Sequence, residues 1–208
     1  MGELKIKIKT SYLIAIVIVL IFLAFSIFLF QNLNLFKESE ITNVNDLILQ
    51  SDIILGNPNS GKILIEYSSL ECSACEYFHL YLFDNVQDAI NKNEIAYIIR
   101  LIPFKRDEFS NNLAKLGYCS IKLTNSTEFI KTIYKNLDDA KNINFFYELF
   151  DGDVEKLKEC VNSFEAEKYL SNNIKKFLDD KNEFTPTFIL IKNGRIEKIV
   201  GARIINLD

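Results

Sequence analysis

Cys72-Ser73-Ala74-Cys75 stands between a strand pattern and a helix pattern, and the fold is decided at this stretch. The residues ahead of it, Lys62-Ile63-Leu64-Ile65-Glu66-Tyr67, are mostly apolar and rich in β-branched side chains, which predicts a strand. The apolar positions behind it recur at spacings of three and four: Cys75, Phe78, Leu82, Val86 and Ala89. This spacing predicts a helix over residues 73–90, and the junction as a whole predicts an α/β domain.

The chemistry expected of the two cysteines follows from this position. Backbone N–H groups at the start of a helix carry partial positive charge, which favours a thiolate and is expected to lower the pKa of Cys72. Cys75 lies one turn further along the same face, from which its sulfur can attack a mixed disulfide formed at Cys72. The pair is therefore spaced for thiol–disulfide exchange.

Two other interpretations of the cysteine pair have weaker support. A zinc site needs four ligands, and the other candidates, Cys119, Cys160 and the single histidine His79, do not form a second close pair. A purely structural bridge would close a very short loop and would constrain the unfolded chain little. We therefore predict redox chemistry with no metal and no cofactor.

The composition indicates a folded domain with accessory segments. Of the 208 residues 49% are apolar, which is enough for a sizeable core, and seven Gly and three Pro argue against a chain built of loops. The net charge is −4 and no basic run occurs, so nucleic acid is not predicted as a partner.

The N-terminal region has the features of an export segment. Lys5, Lys7 and Lys9 precede an apolar run over residues 12–30, which as a helix would be ~28 Å long, about one bilayer core. Positive charge ahead of such a run predicts a transmembrane signal anchor with its N-terminus in the cytoplasm. A cleaved signal peptide is the alternative, because Ala24-Phe25-Ser26 has small residues at a suitable separation.

The remaining patterns divide the chain into segments. Residues 1–11 are expected to be cytoplasmic, and residues 31–46 to link the anchor to a domain over residues 47–208. Within that domain, strand patterns occupy residues 52–56, 62–67, 94–101, 187–191 and 196–200, the last two forming a hairpin around Asn193-Gly194. Helical periodicity extends over about residues 107–180. The absence of a glycine-rich phosphate loop after any strand excludes a nucleotide-binding fold.

A second motif, Thr185-Pro186-Thr187, precedes the apolar strand at residues 187–191. In two segments the chain resembles the DsbA-like thiol–disulfide oxidoreductases of the thioredoxin superfamily. These segments are Tyr67-Ser68-Ser69-Leu70-Glu71-Cys72-Ser73-Ala74-Cys75-Glu76-Tyr77-Phe78-His79 and Phe184-Thr185-Pro186-Thr187-Phe188. The resemblance covers about residues 47–201. It implies a thioredoxin fold with an all-helical insertion at about residues 107–180.

The resemblance also implies roles for the site residues. Cys72 would be the nucleophile and Cys75 the resolving cysteine, while Pro186 would be a cis proline packed against them. The backbone of Thr185 would bind a substrate peptide in strand-like fashion. A trans proline that only begins an edge strand is the alternative for Pro186.

Cys119 and Cys160 both lie in the helical segment and approach the apolar faces of their helices. Some DsbA-like proteins carry a second, structural disulfide in the insertion, so the resemblance implies a bond between these two cysteines. In an oxidising compartment two thiols that face one core tend to pair. Two buried free thiols are the alternative, because cysteine packs as a small hydrophobic residue.

Three ionisable residues flank the cysteine pair. The carboxylates of Glu71 and Glu76 would disfavour a neighbouring thiolate, so we expect them to make the disulfide less oxidising, unless both point into solvent. His79 is expected to be a surface imidazole or a partner of Glu76, and it is not assigned to the catalytic set.

The function implied by the resemblance is disulfide formation in exported proteins through dithiol–disulfide exchange. The domain would lie in the periplasm, anchored in the bacterial inner membrane or soluble after signal cleavage, and a membrane quinone-linked partner would reoxidise it. A disulfide isomerase or reductase of the same fold is one alternative. A membrane-tethered metal chaperone that uses Cys72 and Cys75 is the other.

Overall fold

The computed structural model describes residues 19–23, 47–140 and 142–207. The chain divides into two units, Met1–Thr42 and Asn43–Asp208, and the architecture below is that of the second.

The predicted transmembrane segment and linker, residues 12–30 and 31–46, lie outside the described residues except at positions 19–23, which are helical. No helix in the described part of the chain is both long and apolar enough to cross a bilayer.

Five strands form one mixed sheet in the order β1-β3-β2-β4-β5. Their bounds are Ile54–Gly56 for β1, Lys62–Ser68 for β2, Ala96–Leu101 for β3, Thr187–Lys192 for β4 and Arg195–Val200 for β5. Strands β2 and β3 are parallel, and the other three neighbouring pairs are antiparallel. The central strand, β2, leads directly into the cysteine pair.

The hairpin predicted at Asn193-Gly194 is confirmed. Both residues have positive φ, 52° and 72°, as a two-residue turn between right-twisted strands requires. Glycine adopts this conformation without a steric cost, and asparagine tolerates it better than most residues.

Seven α-helices and one π-helical turn occur among the described residues of the second unit. Their bounds are Ser73–Tyr77 (α1), Phe78–Leu82 (the π turn), Asp84–Asn91 (α2), Glu108–Thr124 (α3), Glu128–Lys135 (α4), Asn144–Glu148 (α5), Val154–Val161 (α6) and Phe164–Asp179 (α7). Helices α3 to α7 lie between β3 and β4, which confirms helical structure in the segment predicted over residues 107–180. Asp107 and Asp153 cap α3 and α6 by accepting the backbone N–H of Ser110 and Lys156.

The prediction of one helix over residues 73–90 is wrong in its continuity. The structure has α1, the π turn and α2, with Phe83 between the last two. A π turn accommodates one more residue than an α turn. Here Phe78 and His79, which are consecutive, are both buried, with exposed fractions of 0% and 1%.

The two faces of the sheet carry different polar groups. Side chains alternate along β2, so Leu64, Glu66 and Ser68 share one face while Tyr67 points to the other. The first face packs on the segment that carries the cysteines, where the Phe78 and Phe188 rings lie 4.6 Å apart. The second face packs on α7, where the Tyr67 ring meets Phe177 at 5.6 Å.

A buried ion pair lies on the second face. The guanidinium of Arg100 contacts both carboxylate oxygens of Asp52, at 3.0 and 2.6 Å, and donates to the Tyr67 hydroxyl at 2.7 Å and to the Leu47 carbonyl. The Tyr67 hydroxyl in turn donates to Asp180 at 2.8 Å. We call these five residues the Arg100 cluster. It joins the segment ahead of β1 to β2, β3 and the end of α7.

Candidate active site

The two cysteines lie where the central strand meets the first helix. Cys72 is the N-cap of α1, with extended backbone angles, and Cys75 lies within the helix. Cys72 has an exposed fraction of 9% and Cys75 of 0%, and both thiols are free in this structure. One sulfur can therefore meet a substrate while the other is shielded behind it.

The two thiols differ strongly in pKa because their surroundings differ. The pKa of Cys72 is lowered to about 5, above all because the Cys75 thiol donates a hydrogen bond to its sulfur. The Thr185 side chain and the backbone N–H groups of Cys75 and Ala74 lower the pKa further, while burial opposes them. The pKa of Cys75 is raised far above its usual value by burial, then by Cys72 and by the charge of Glu66. Cys72 is thus the thiolate of the pair.

This difference predicts how the reduced protein titrates. The thiolate absorbance of the reduced full chain should appear with a midpoint near pH 5, in place of the ordinary value of 9.0, and should be absent from Cys72→Ser. The depressed pKa also makes the unfolded chain bind more protons between these two values, so the free energy of unfolding of the reduced protein should rise from pH 5 to 9.

The oxidised protein, in which neither thiol titrates, is the control for that prediction. The difference in unfolding free energy between the reduced and the oxidised protein should therefore vary with pH as Cys72 titrates. A midpoint above pH 8 would contradict the assignment of Cys72 as the thiolate.

Thr185 and Pro186 lie beside Cys72. The Cys72 sulfur lies 3.3 Å from the Thr185 carbonyl oxygen, and the Thr185–Pro186 peptide bond is cis. Thr187 then begins β4, which pairs with β2. The two sequence motifs, 113 residues apart in the chain, therefore form one site.

The structure shows the contacts of Glu71, the carboxylate directly ahead of the cysteine pair. Glu71 is largely buried, accepts a hydrogen bond from the Ser110 hydroxyl and lies 3.6 Å from the Lys105 ammonium, so it does not point into solvent as the alternative required. Neither carboxylate is among the leading groups that set the pKa of Cys72. Their expected effect on the redox potential stays a prediction.

His79 lies in the interior of the domain. The prediction of a surface imidazole, or of a pair with Glu76, is wrong, because the π turn directs the ring into the interior. Its Nε2 atom lies 2.9 Å from Glu66 Oε1, with both side chains fully buried. The other oxygen of Glu66 accepts from the Tyr97 hydroxyl at 2.6 Å.

Glu66 is a residue of the site that the sequence patterns did not indicate. It is fully buried in the middle of β2, and its charge is one of the influences that raise the pKa of Cys75. The signal that could have found it is a single carboxylate inside an apolar strand pattern that runs straight into the cysteine pair. A buried carboxylate needs partners, and these come from elements that are distant in the chain.

Cys119 and Cys160 are joined by a disulfide in the structure. The bond connects α3 with α6 across a sequence separation of 41 residues. It lies within the helical segment and shares no residue with the site at Cys72.

The described residues contain no group of three or more His, Cys, Asp or Glu side chains placed to hold a metal ion. The arrangement at Cys72 and Cys75 supplies a stabilised thiolate, a buried second thiol and an adjacent backbone carbonyl. These groups are suited to exchange of disulfides.

Several bacterial proteins are similar to the chain. It is 33% identical over 138 residues to a protein of Rickettsia prowazekii named "putative protein-disulfide oxidoreductase", a match that covers 61% of the chain and 50% of the relative. A protein of Rickettsia bellii with the same name is 30% identical over 164 residues, covering 74% of the chain and 62% of the relative. The chain spans about half the length of the first of these relatives.

Solved structures share the fold. The chain is similar to alpha-DsbA1 of Wolbachia pipientis, with a TM-score of 0.61 and 22% identity over 78% of the chain and 90% of that structure. It is also similar to oxidised BdbD of Bacillus subtilis, with a TM-score of 0.59 and 16% identity over 72% and 85% of the two chains. At these identities the likeness establishes the fold alone.

A family model described as Thioredoxin matches residues 49–199 of the chain. Because this match covers more than half of the sequence, the chain belongs to the thioredoxin family.

Proposed function

We propose that this protein is a thiol–disulfide oxidoreductase that forms disulfide bonds in exported proteins. The observation that supports the proposal is that the pKa values of two neighbouring thiols are shifted in opposite directions. The pKa of Cys72 is lowered to about 5, and that of Cys75 is raised well above its usual range. Such a pair favours release of Cys72 as a thiolate. The names of the Rickettsia relatives support the same class of activity.

The reaction proceeds in two exchanges. A substrate thiolate attacks the sulfur of Cys72 in the Cys72–Cys75 disulfide; a mixed disulfide forms, and the Cys75 sulfur leaves and takes up a proton. A second substrate thiolate then attacks the substrate sulfur of the mixed disulfide. Cys72 leaves as a thiolate, so the substrate gains a disulfide and the protein ends with two reduced cysteines.

The magnitudes favour the oxidising direction. A pKa of about 5 makes Cys72 nearly fully ionised at pH 7, whereas an ordinary thiol is about 1% ionised, a gain of roughly 100-fold. The same change lowers the nucleophilicity of the sulfur by roughly 40- to 100-fold, for a Brønsted coefficient of about 0.4–0.5. For attack by Cys72, the gain in ionisation and the loss of nucleophilicity nearly cancel. The main consequence of the lowered pKa is therefore that Cys72 becomes a better leaving group.

The setting of the reaction is part of the proposal. The backbone of Thr185, beside the cis Pro186, would hold the substrate as an added strand. The domain over residues 47–208 would work in the periplasm, with residues 1–11 in the cytoplasm, residues 12–30 as anchor or cleaved signal, and residues 31–46 as linker. A quinone-linked membrane protein would return Cys72 and Cys75 to the disulfide.

The test is catalysed refolding of a reduced, denatured protein that contains disulfides. The oxidised full chain should speed the regain of native activity, and it should equilibrate with glutathione at a potential more oxidising than that of a cytosolic reductant, about −270 mV. A more reducing potential would favour the alternative of a reductase. Absence of any exchange with dithiols would overturn the proposal.

A further inference from the structure

The carboxylate of Glu71, directly ahead of Cys72, is held by groups from another part of the chain. The Ser110 hydroxyl, on α3, donates to one of its oxygens, and the Lys105 ammonium lies 3.6 Å from the other. The side chain of Glu71 is 10% exposed and Ser110 is 1% exposed, whereas the side chain of Lys105 is 64% exposed. The carboxylate is therefore largely shielded from water, and its cationic partner is the exposed member of the pair.

The start of α3 fixes the direction of the Ser110 hydrogen bond. The backbone N–H of Ser110 donates to the carboxylate of Asp107 at 2.8 Å, and its hydroxyl oxygen accepts the backbone N–H of Lys105 at 3.4 Å. The hydroxyl proton is thus left for Glu71, whose ionised carboxylate can only accept. The first turn of a helix of 17 residues also carries partial positive charge, which favours a carboxylate at this place.

Glu71 and Cys72 are neighbours in the chain, but their side chains have partners on different elements. The Cys72 sulfur lies 3.3 Å from the carbonyl oxygen of Thr185, in the segment ahead of β4. The backbone is held in a turn, because Ser69 accepts the N–H of Glu71 at its hydroxyl, at 3.4 Å, and the N–H of Cys72 at its carbonyl, at 3.1 Å. The turn and the contact with Ser110 together set the direction in which the carboxylate points.

The other charged groups near this contact lie ahead of α3 and on α1. Arg106 and Glu108 are exposed, Asp107 is engaged as the cap of α3, and Glu76 lies in the first turn of α1. Within the described part of the chain, Lys105 is the cation that forms an ion pair with Glu71.

The acidity of Cys72 agrees with a compensated carboxylate. The groups that lower the pKa of Cys72 are the Cys75 thiol, Thr185 and the backbone N–H groups of Cys75 and Ala74, with burial acting against them. Glu71 is not among these leading influences, although it belongs to the adjacent residue.

We propose that Ser110 and Lys105 are positioning residues for thiol–disulfide exchange: they hold the carboxylate of Glu71 in a compensated contact, so that its charge does not oppose the thiolate of Cys72. The sequence alone predicts the opposite for Glu71, because it shows the carboxylate without its partners, and a bare carboxylate disfavours a neighbouring thiolate. The ammonium and the hydroxyl donor balance the charge where it arises. The inference rests on the proposed exchange activity and adds two residues to it from outside the cysteine motif.

The step on which this contact acts is the departure of Cys72. A substrate thiolate attacks the substrate sulfur of the mixed disulfide, a bond forms between the two substrate sulfurs, and the bond to Cys72 breaks with its electron pair remaining on Cys72. Negative charge grows on the Cys72 sulfur in this step. An uncompensated carboxylate nearby would therefore slow the step and shift the equilibrium toward the oxidised protein.

The test is the titration of Cys72 in the reduced full chain, followed by its thiolate absorbance, with the equilibrium constant of the disulfide against glutathione as the second measurement. Ser110→Ala should raise the midpoint by about 0.5 pH units, and Ser110→Ala combined with Lys105→Met should raise it by about one unit. The second shift corresponds to a disulfide that glutathione reduces about tenfold less readily at equilibrium.

Removing the carboxylate separates compensation from a merely structural role. Glu71→Gln alone should move the midpoint by less than about 0.3 pH units, since the charge that it removes is already balanced. In this background, Ser110→Ala and Lys105→Met should each move it by less than about 0.2 pH units, because the charge through which they act is gone.

Lys115→Met is the matched control, because it removes another lysine near the start of α3, one whose ammonium lies 3.4 Å from Glu167. It should leave the midpoint unchanged, and unfolding by denaturant verifies that each variant is folded. An undiminished effect of Ser110→Ala in the Glu71→Gln background, or a fall of about one pH unit in Glu71→Gln alone, would overturn the inference. A wild-type disulfide that does not exchange with glutathione would instead contradict the proposed function.

Discussion

Replacing Cys75 by Ser is expected to leave the protein bonded covalently to its substrate, whereas replacing Cys72 by Ser is expected to abolish exchange altogether. Cys72 carries the lowered pKa of about 5 and has the larger exposed fraction, so its thiolate can still attack a substrate disulfide in Cys75→Ser. Without the Cys75 thiol, no group of the site can resolve the mixed disulfide that results.

The measurement is the mass of the protein after incubation with a disulfide-containing peptide. Cys75→Ser should gain the mass of one half of the peptide and lose it on addition of a dithiol, while Cys72→Ser should gain nothing. An adduct on Cys72→Ser would reverse the roles of the two cysteines. Because serine is close to cysteine in size, both variants should fold, and unfolding by denaturant is the control.

Removal of the Cys119–Cys160 disulfide is expected to lower the free energy of unfolding by about 4 kcal/mol. The bond closes a loop with a sequence separation of 41 residues, and cross-linking a loop of that length removes this much conformational entropy from the unfolded chain. In a domain of this size the melting temperature would fall by roughly 8–16 °C. Replacing both cysteines by Ala avoids placing a hydroxyl at the buried Cys119 position.

The bond itself can be tested separately. A chain with Ser at positions 72 and 75, denatured without reductant, should show no titratable thiol, and two thiols per chain would contradict the bond. The titration of Cys72 should be unchanged in the chain with Ala at positions 119 and 160. If the loss of stability were below about 1 kcal/mol, the entropic argument would not hold for this protein.

The elements that the sequence predicts correctly are those with local signals. The strand at residues 62–67 has β-branched residues within its own length, and the hairpin has its turn at Asn193-Gly194. Each of these predictions needs only a short window of the chain, which is why each agrees with the structure.

The buried contacts of His79 and Glu66 could not be predicted in this way. A spacing rule for residue 79 assumes a regular α-helix, and the π turn displaces every later side chain around the axis. The partners of Glu66 lie 13 and 31 residues away, on elements whose packing against β2 is set by the whole fold. A buried carboxylate is satisfied by tertiary structure, and a single sequence carries no direct record of such a contact.

The Arg100 cluster has a mechanical consequence for the domain. Tension applied to the chain ahead of Leu47 would enter the domain through hydrogen bonds to Arg100, which lies on β3 between β1 and β2. The force would therefore be distributed across the interior of the sheet and the end of α7, instead of peeling an edge strand away one bond at a time.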